Sequence, residues 1–321
     1  MKRCPITYET IDSDQAYSLN GLRSLSPSLT KLSPLPYTAQ EQRQQAARYA
    51  TKMSIQGVQP KFSANLAVKE GMFYLVEKSG DFLFKPQSDI YDQVPENEDL
   101  TMKMARLVGI PTPVHGLVYS KDGSLCYFIR RFDRYGRRKK YRLEDFAQLT
   151  GRSRETKYQF SMEKLVPVIE QYCTFPAVDK LELFRRMIFC FITGNEDMHL
   201  KNFSLITKNG KTSLSPAYDL LNTTLAVSGT TEELALPVNG KKSRLKYEDL
   251  VDYYGRQRLA LPETAIDSVL NKYTETWEQL FQLIRYSFLS HEKQEAYESL
   301  MLSRAARLNL PITAAPHPDR E

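Results

Sequence analysis

From Gly57 the chain alternates between apolar and polar positions. Phe62, Ala64, Leu66 and Val68 share one parity, which predicts a strand buried on one face. "KEG" (Lys69 to Gly71) and "KSGD" (Lys78 to Asp81) punctuate the pattern. The runs Met72 to Glu77 and Phe82 to Lys85 then read as the second and third strands of an antiparallel meander. The period changes in "ENEDLTMKMARLVGIPTP", where Leu100, Met104, Leu107 and Val108 fall on one helical face. Acidic residues open that segment, and Gly109 and Pro111 lie past its end, as helix polarity prefers. "SLCYFIRRF" (Ser124 to Phe132) reads as another buried strand. After Asp133 the character becomes helical. In "DKLELFRRMIFCFITG", Leu181, Phe184, Ile188, Phe191 and Ile192 recur at helical spacing, Asp179 and Glu182 suggest a capping pair, and Gly194 ends the run. Further helices are predicted over Tyr247 to Tyr254, Pro262 to Phe288 and His291 to Leu308. Residues 1–50, with "LSPSLTKLSPLP" at their center, read as an extended lead-in, partly ordered on the body. The expected organization is α+β: lead-in 1–50, a sheet-rich part 51–132 with one helix, and a mainly helical part 133–321.

Within the helical part, "FSLITKNGKTSLSPAYDL" interrupts with two strands joined by Asn209-Gly210, a strong two-residue hairpin signal. That turn makes Lys208 face Lys211 and Asn202 face Ala217, and it returns Asp219 toward Asn202 and Asp197. Asp197 and Asn202 stand five positions apart in "GNEDMHLKNFSL", directly after the most apolar helix. Mg²⁺ takes hard oxygen ligands and keeps waters and substrate phosphates in its other positions, so Asn202 and Asp219 are candidate ligands. Asp197 is then left to accept a proton from an attacking hydroxyl, the division of labor in phosphoryl transfer.

The sheet-rich part carries complementary chemistry. "SIQGVQPKFS" (Ser54 to Ser63) offers a loop with one glycine, Gly57, for close approach to phosphate. Lys85 ends a strand, and Glu98 opens the following helix where it can pair with Lys85 or favor the helix dipole. Strand lysine, helix glutamate, D-x-x-x-x-N and a later Asp occur here in kinase order.

Composition narrows the class without changing this picture. The 321 residues are 41% hydrophobic and 26% charged, normal for a globular chain of one large or two joined domains. Four scattered cysteines, with no C-x-x-C, argue against a zinc site or a disulfide framework and fit a reducing compartment. No run is long enough to span a membrane, and "MKRCPITYET" lacks the apolar core of a secretory signal, so a cytoplasmic protein is expected. The net charge of +6 is concentrated in "IRRFDRYGRRKKYR" (Ile129 to Arg142), read as a solvated basic loop.

Taken together, "SIQGVQPK", "FLFKP", "NE" before a helix, "RRFDR", "NEDMHLKNFSL" and "PAYDL" resemble the HipA family of bacterial serine/threonine kinase toxins, from about Met53 to about Asn222. The short segment ahead of the loop is closer to the HipT branch, found in three-component HipBST systems with a separate small HipS protein. The resemblance implies a two-lobed protein-kinase-like fold using ATP and Mg²⁺. It implies Asp197 as catalytic, and Asn202 and Asp219 as metal ligands. It also implies that Lys85, with Glu98, serves the ATP phosphates and that Gln56, Gly57, Val58, Gln59, Pro60 and Lys61 form the phosphate loop. Arg130, Arg131 and Phe132 match the hinge for adenine, while His199, Lys201, Asn202, Tyr218 and Asp219 fall in nucleotide-binding stretches. Ser54 matches an autophosphorylated serine. The implied partners are a HipS-like protein, a HipB-like DNA-binding antitoxin and an aminoacyl-tRNA synthetase as substrate. The competing readings are a small-molecule phosphotransferase, which the Asn at position 195 weakens, and a catalytically idle partner-binding protein in a repressor complex.

Overall fold

The structure is a computed structural model that describes residues 2–50, 60–136, 139–153, 155–227, 229 and 231–312. Ser54 and the loop residues Gln56 to Gln59 lie outside the described residues. The chain divides into two compact units. The first comprises residues 1–100, 113–139 and 286–289, and the second 101–112, 140–285 and 290–321.

In the first unit, β1 (Lys2–Arg3) pairs with β2 (Thr10–Ile11), and α1 (Leu19–Leu25) and α2 (Ala39–Ala50) follow. A five-stranded antiparallel sheet comes next. It consists of β3 (Phe62–Ala67), β4 (Met72–Val76), β5 (Phe82–Lys85), β6 (His115–Tyr119) and β7 (Leu125–Arg130), in the order β4-β3-β5-β7-β6. α3 (Val94–Leu107) intervenes between β5 and β6. The alternation read from the sequence is the sheet's pleat. Phe62 pairs with Phe84 and Phe82 with Arg130, so every second side chain enters the core. Phe62 stacks on Phe84 at 5.4 Å, and Phe73 meets Phe82 and Phe84 edge-on at 5.1 and 4.9 Å. Such pairs add about 0.5–1.5 kcal/mol each beyond their burial.

The first fifty residues are not an extended lead-in. Cys4, Ile6, Leu22, Leu25, Leu29 and Leu35 join the same buried cluster as Phe62, Phe84 and Phe128. Their apolar spacing is broken by short turns, so it matches neither a long helix nor a long strand. Ser18 caps α1 by accepting from Gly21 N at 3.0 Å. Thr38 and Glu41 cap α2 reciprocally, at 2.8 and 3.2 Å.

The basic run divides: Lys139, Lys140 and Arg142 are exposed as expected, whereas Arg130 and Arg131 are engaged by neighbors. The Arg130 guanidinium lies 5.1 Å over the Phe82 ring and bonds the Leu25 carbonyl. Arg131 grips Asp133 with two hydrogen bonds, 3.0 and 2.8 Å. β8 (Arg134–Tyr135) pairs with β9 (Lys139–Lys140).

The second unit begins with a strand that the sequence pattern did not reveal, β10 (Arg142–Asp145). It is followed by α4 (Phe146–Leu149), α5 (Met162–Tyr172), α6 (Pro176–Thr193), β11 (Ser204–Lys208), β12 (Lys211–Leu214) and α7 (Thr223–Ala226). A π-helix (Glu248–Arg258), α8 (Glu263–Tyr286) and α9 (His291–Arg307) complete the unit. The hairpin register is the one that Asn209-Gly210 implies: Lys208 pairs with Lys211, and Leu205 with Leu214. β10 adds on the other side of β11, pairing Asp145 with Ser204.

α6 is the apolar mount of this unit, with Leu183, Phe184, Ile188, Phe189, Phe191 and Ile192 fully buried. It begins at Pro176, earlier than the predicted capping pair, because proline suits the first helical turn. Asp179 is therefore inside the helix and not at its cap, and its carboxylate accepts from Leu214 N at 2.7 Å.

Candidate functional site

The second unit assembles its chemistry at the C-terminus of α6. Gly194 closes the helix at φ 68°, a left-handed conformation that glycine adopts without steric cost. A Cβ there would lie 2.6 Å from Leu300 Cδ2 and 2.8 Å from Thr224 Oγ1, so the position has no room either. The carbonyl of Gly194 accepts from Thr223 N at 2.9 Å and Thr224 N at 3.1 Å. Asn195 is buried, and its side-chain oxygen accepts from Asp197 N at 3.1 Å. The loop thus leaves the helix in one defined direction.

Asp197 ends that path with its side chain 48% exposed and its carboxylate 3.8 Å from His199 Nε2. The Asn202 amide nitrogen donates to the Asp197 carbonyl at 2.9 Å. The spacing of five is now explained. The 3₁₀ turn Leu200–Asn202, capped by His199, brings the amide back to the backbone of Asp197. With its NH₂ directed at that carbonyl, the opposite end of the buried Asn202 amide presents its oxygen as an acceptor.

The hairpin delivers the third group. Its return strand is tied to α6 twice, through Asp179 to Leu214 N and through Arg186 to the Ser215 carbonyl at 2.5 Å. Ala217 N donates to the Pro111 carbonyl at 2.7 Å. Asp219 follows at φ 60°, an uncommon conformation for a residue with a side chain, tolerated best by Asp and Asn. The Asp197 and Asp219 carboxylates both favor the protonated form of His199.

His199 is buried and accepts from the Lys157 ammonium through Nε2 at 2.7 Å. Burial drives its pKa below the ordinary value. The Asp197 carboxylate opposes that shift and the Lys157 ammonium adds to it. Tyr158, next in the chain, donates from its hydroxyl to Asp197 Oδ1 and stands edge-on to the His199 ring at 5.0 Å. Burial, then the hydrogen bond to Asp197, pushes the Tyr158 phenol well above its ordinary value, so the hydroxyl stays protonated and donating. Sequence reasoning missed Lys157, Tyr158 and Asn195. Lys157 and Tyr158 lie about forty residues from Asp197, with no spacing motif to link them. Asn195 was read only as a departure from the small-molecule pattern.

Lys201 and Tyr218 hold the loop. Lys201 reaches Asp145 Oδ2 at 3.4 Å, and Asp145 also caps α4. The half-buried Tyr218 hydroxyl contacts Ser204 Oγ at 2.5 Å and donates to the Lys201 carbonyl at 2.9 Å.

Among the described residues no cluster of three His, Cys, Asp or Glu side chains forms a cage for a metal ion. An amide oxygen and a carboxylate, as Asn202 and Asp219 would offer, are the kind of donors that Mg²⁺ accepts alongside water and phosphate.

In the first unit, Lys85 Nζ donates to Glu98 Oε1 at 2.6 Å, with the two side chains 10% and 1% exposed. The ammonium also lies 5.7 Å from the center of the Tyr127 ring, across the β5–β7 ladder. Of the predicted hinge residues, Arg130 ends β7 and Arg131 and Phe132 follow it. Arg130 N donates to the Val114 carbonyl at 2.7 Å and Arg131 N to the Asp81 carbonyl at 2.8 Å, while Phe132 lies in the turn beyond. Pro60 is half-buried and Lys61 exposed, immediately before β3.

Comparison with known proteins places this arrangement. Residues 53–281 match the HipA-like C-terminal domain. A Haemophilus influenzae protein named "Putative kinase" is 30% identical over 240 residues, which cover 69% of this chain and 68% of that protein. Sinorhizobium fredii "Putative kinase Y4dM" is 33% identical over 249 residues, 71% of this chain and 60% of the relative. Among solved structures, HipA from the Shewanella oneidensis complex of HipA, HipB and operator DNA superposes with a TM-score of 0.69 at 18% identity, covering 94% of this chain and 80% of that one. The α+β architecture is therefore that of HipA, and the chain belongs to the family of HipA-like C-terminal domains.

Proposed function

We propose that this protein is an ATP-dependent serine/threonine protein kinase. The observation that carries the reading is the brace between Asn202 and Asp197: an exposed carboxylate whose backbone is held by a side chain that still offers an oxygen to a cation. Asp197 accepts the proton of the acceptor hydroxyl, and Asn195 and Asn202 fix its backbone. Asn202 and Asp219 would hold Mg²⁺, which when bound neutralizes charge on the transferring phosphate. Lys85, oriented by Glu98, serves the ATP phosphates. Residues 56–61 would contribute phosphate contacts and the Arg130–Phe132 segment the adenine contact. The relatives named as kinases support this assignment.

The finer identity rests on the resemblance. We infer a toxin of a toxin–antitoxin module of the HipBST type, neutralized by HipB-like and HipS-like partners, acting on an aminoacyl-tRNA synthetase and autophosphorylated at Ser54. The Shewanella neighbor, solved with HipB and operator DNA, supports an antitoxin partnership. A phosphate at Ser54 would add about −1.5 to −2 charge beside the loop expected to receive ATP phosphates, and so oppose nucleotide binding.

The test is transfer of labeled γ-phosphate by the wild type and by Asp197→Asn to a panel of purified aminoacyl-tRNA synthetases. Transfer by the wild type and its loss in the variant, with Mg-ATP binding retained by calorimetry, is the expected result. Undiminished transfer by Asp197→Asn would refute the role of Asp197.

A further inference from the structure

The second unit contains a cavity of about 560 Å³ that the phosphotransfer chemistry does not use. Its wall includes Tyr158, Phe160, Lys164, Pro237, Lys242 and Tyr253. Tyr158 belongs to both places. Its ring lines the cavity, and its hydroxyl donates to Asp197 Oδ1. We propose that this cavity is the acceptor subsite: it takes the stretch of substrate polypeptide flanking the phosphorylated serine or threonine, with an acidic side chain of that stretch at Lys164. The proposal rests on the kinase reading and names the substrate feature that the same site selects.

Three observations carry it. First, the Tyr158 hydroxyl marks where a hydroxyl donates to the base. An acceptor hydroxyl that takes this place must be carried on a chain running past Tyr158, along the cavity wall. Second, the lining has the character of a peptide site. Aromatic and proline surfaces give contact area at low entropic cost, and the volume falls in the range of ligand-binding clefts, about 300–1,000 Å³. Third, the charges are unequally committed. Glu163 accepts from Asn239 N at 2.7 Å, and Lys242 faces Glu232 at 3.2 Å. Lys164 is exposed, with its ammonium 5.7 Å from the center of the Phe160 ring, and among the described residues no carboxylate pairs with it. A cation held over an aromatic face at the edge of a cleft complements a carboxylate.

The experiment is phosphorylation of a serine-centered peptide library with Mg-ATP, fixing Asp or Lys in turn at each flanking position. The wild type should favor Asp over Lys at one position by about two- to fivefold, the size of an exposed ion pair. Lys164→Glu should invert that ratio at the same position and leave the other positions unchanged. Because the readout is a ratio within one enzyme preparation, it does not depend on the total activity of the variant. Phe160→Ala should raise KM for the favored peptide and leave its charge preference in place. An Asp preference retained in Lys164→Glu, or no preference in the wild type, overturns the subsite while the kinase reading stands. Absence of phosphate transfer to every peptide and protein acceptor overturns both.

Discussion

The two units treat their carboxylates in opposite ways. In the first, Glu98 is buried and closed on Lys85 in an ion pair. In the second, Asp197 is half-exposed and held by its backbone, while its side chain accepts from the Tyr158 hydroxyl and lies 3.8 Å from His199 Nε2. A buried pair positions a cation rigidly, because either partner alone would be a charge stranded out of water. The proton acceptor proposed at Asp197 would have to meet a substrate hydroxyl, which suits a fixed main chain and a reachable carboxylate. The difference teaches that rigidity here is built at a different covalent level in each unit: through the side chains at Lys85 and through the backbone at Asp197.

The sharpest break in this contrast is Asp197→Asn. It should lower phosphate transfer by about 10²–10⁴-fold, the usual worth of a positioned general base. Its thermal unfolding should shift little, since half-exposed surface positions cost about 0.5 kcal/mol or less. Glu98→Ala should do the reverse. Stranding the Lys85 ammonium should destabilize the protein by about 3–5 kcal/mol in denaturant titration. Replacing both, Lys85→Met with Glu98→Leu, should recover much of that loss, which a double-mutant cycle would read directly.

Gly194→Ala probes the backbone device in the second unit. The left-handed φ costs about 1–2 kcal/mol, and the contact with Leu300 adds to it. Both stability and transfer should fall, whereas an alanine at the solvent-facing Gly151, φ 63°, should show the strain alone.

A third carboxylate extends the contrast within the second unit. Burial by itself would raise the Glu233 carboxyl, but hydrogen bonds from Arg307 at 2.6 and 2.9 Å and from Leu245 N at 2.9 Å hold it below its ordinary 4.5. A depressed pKa means that the unfolded chain binds the proton more readily. The stabilization is therefore complete above about pH 4.5 and is lost as pH falls further. Glu233→Gln should flatten that acid limb in melts recorded from pH 6 down to 3. The smallest effect is expected at Tyr158→Phe. Removing the hydroxyl from Asp197 should raise transfer to a protein acceptor by about two- to tenfold, in line with one hydrogen bond.

Local pattern carried most of the secondary structure. The alternation around Phe62, the helical spacing of Phe184 to Ile192 and the Asn209-Gly210 turn each report a constraint spanning a few residues, and each recurs in the fold. The hairpin register recurs as read, with Lys208 opposite Lys211, because a two-residue turn fixes pairing by geometry. The first fifty residues were opaque for the opposite reason. Their short segments gain stability only by packing on Phe84 and Phe128, which no local periodicity encodes.

By itself, then, the sequence determined the longer elements and the register of the hairpin, and it singled out Asp197, Asn202 and Asp219 as candidates. Tertiary structure alone decided which carboxylate is closed and which is open. It recruited β10 to the hairpin sheet, Asn195 to the Asp197 backbone, and Lys157 and Tyr158 to His199 and Asp197. The reason is one of range. Turn type and hydrophobic period act between near neighbors along the chain, whereas burial and hydrogen bonding between residues some forty positions apart exist only once the chain has folded.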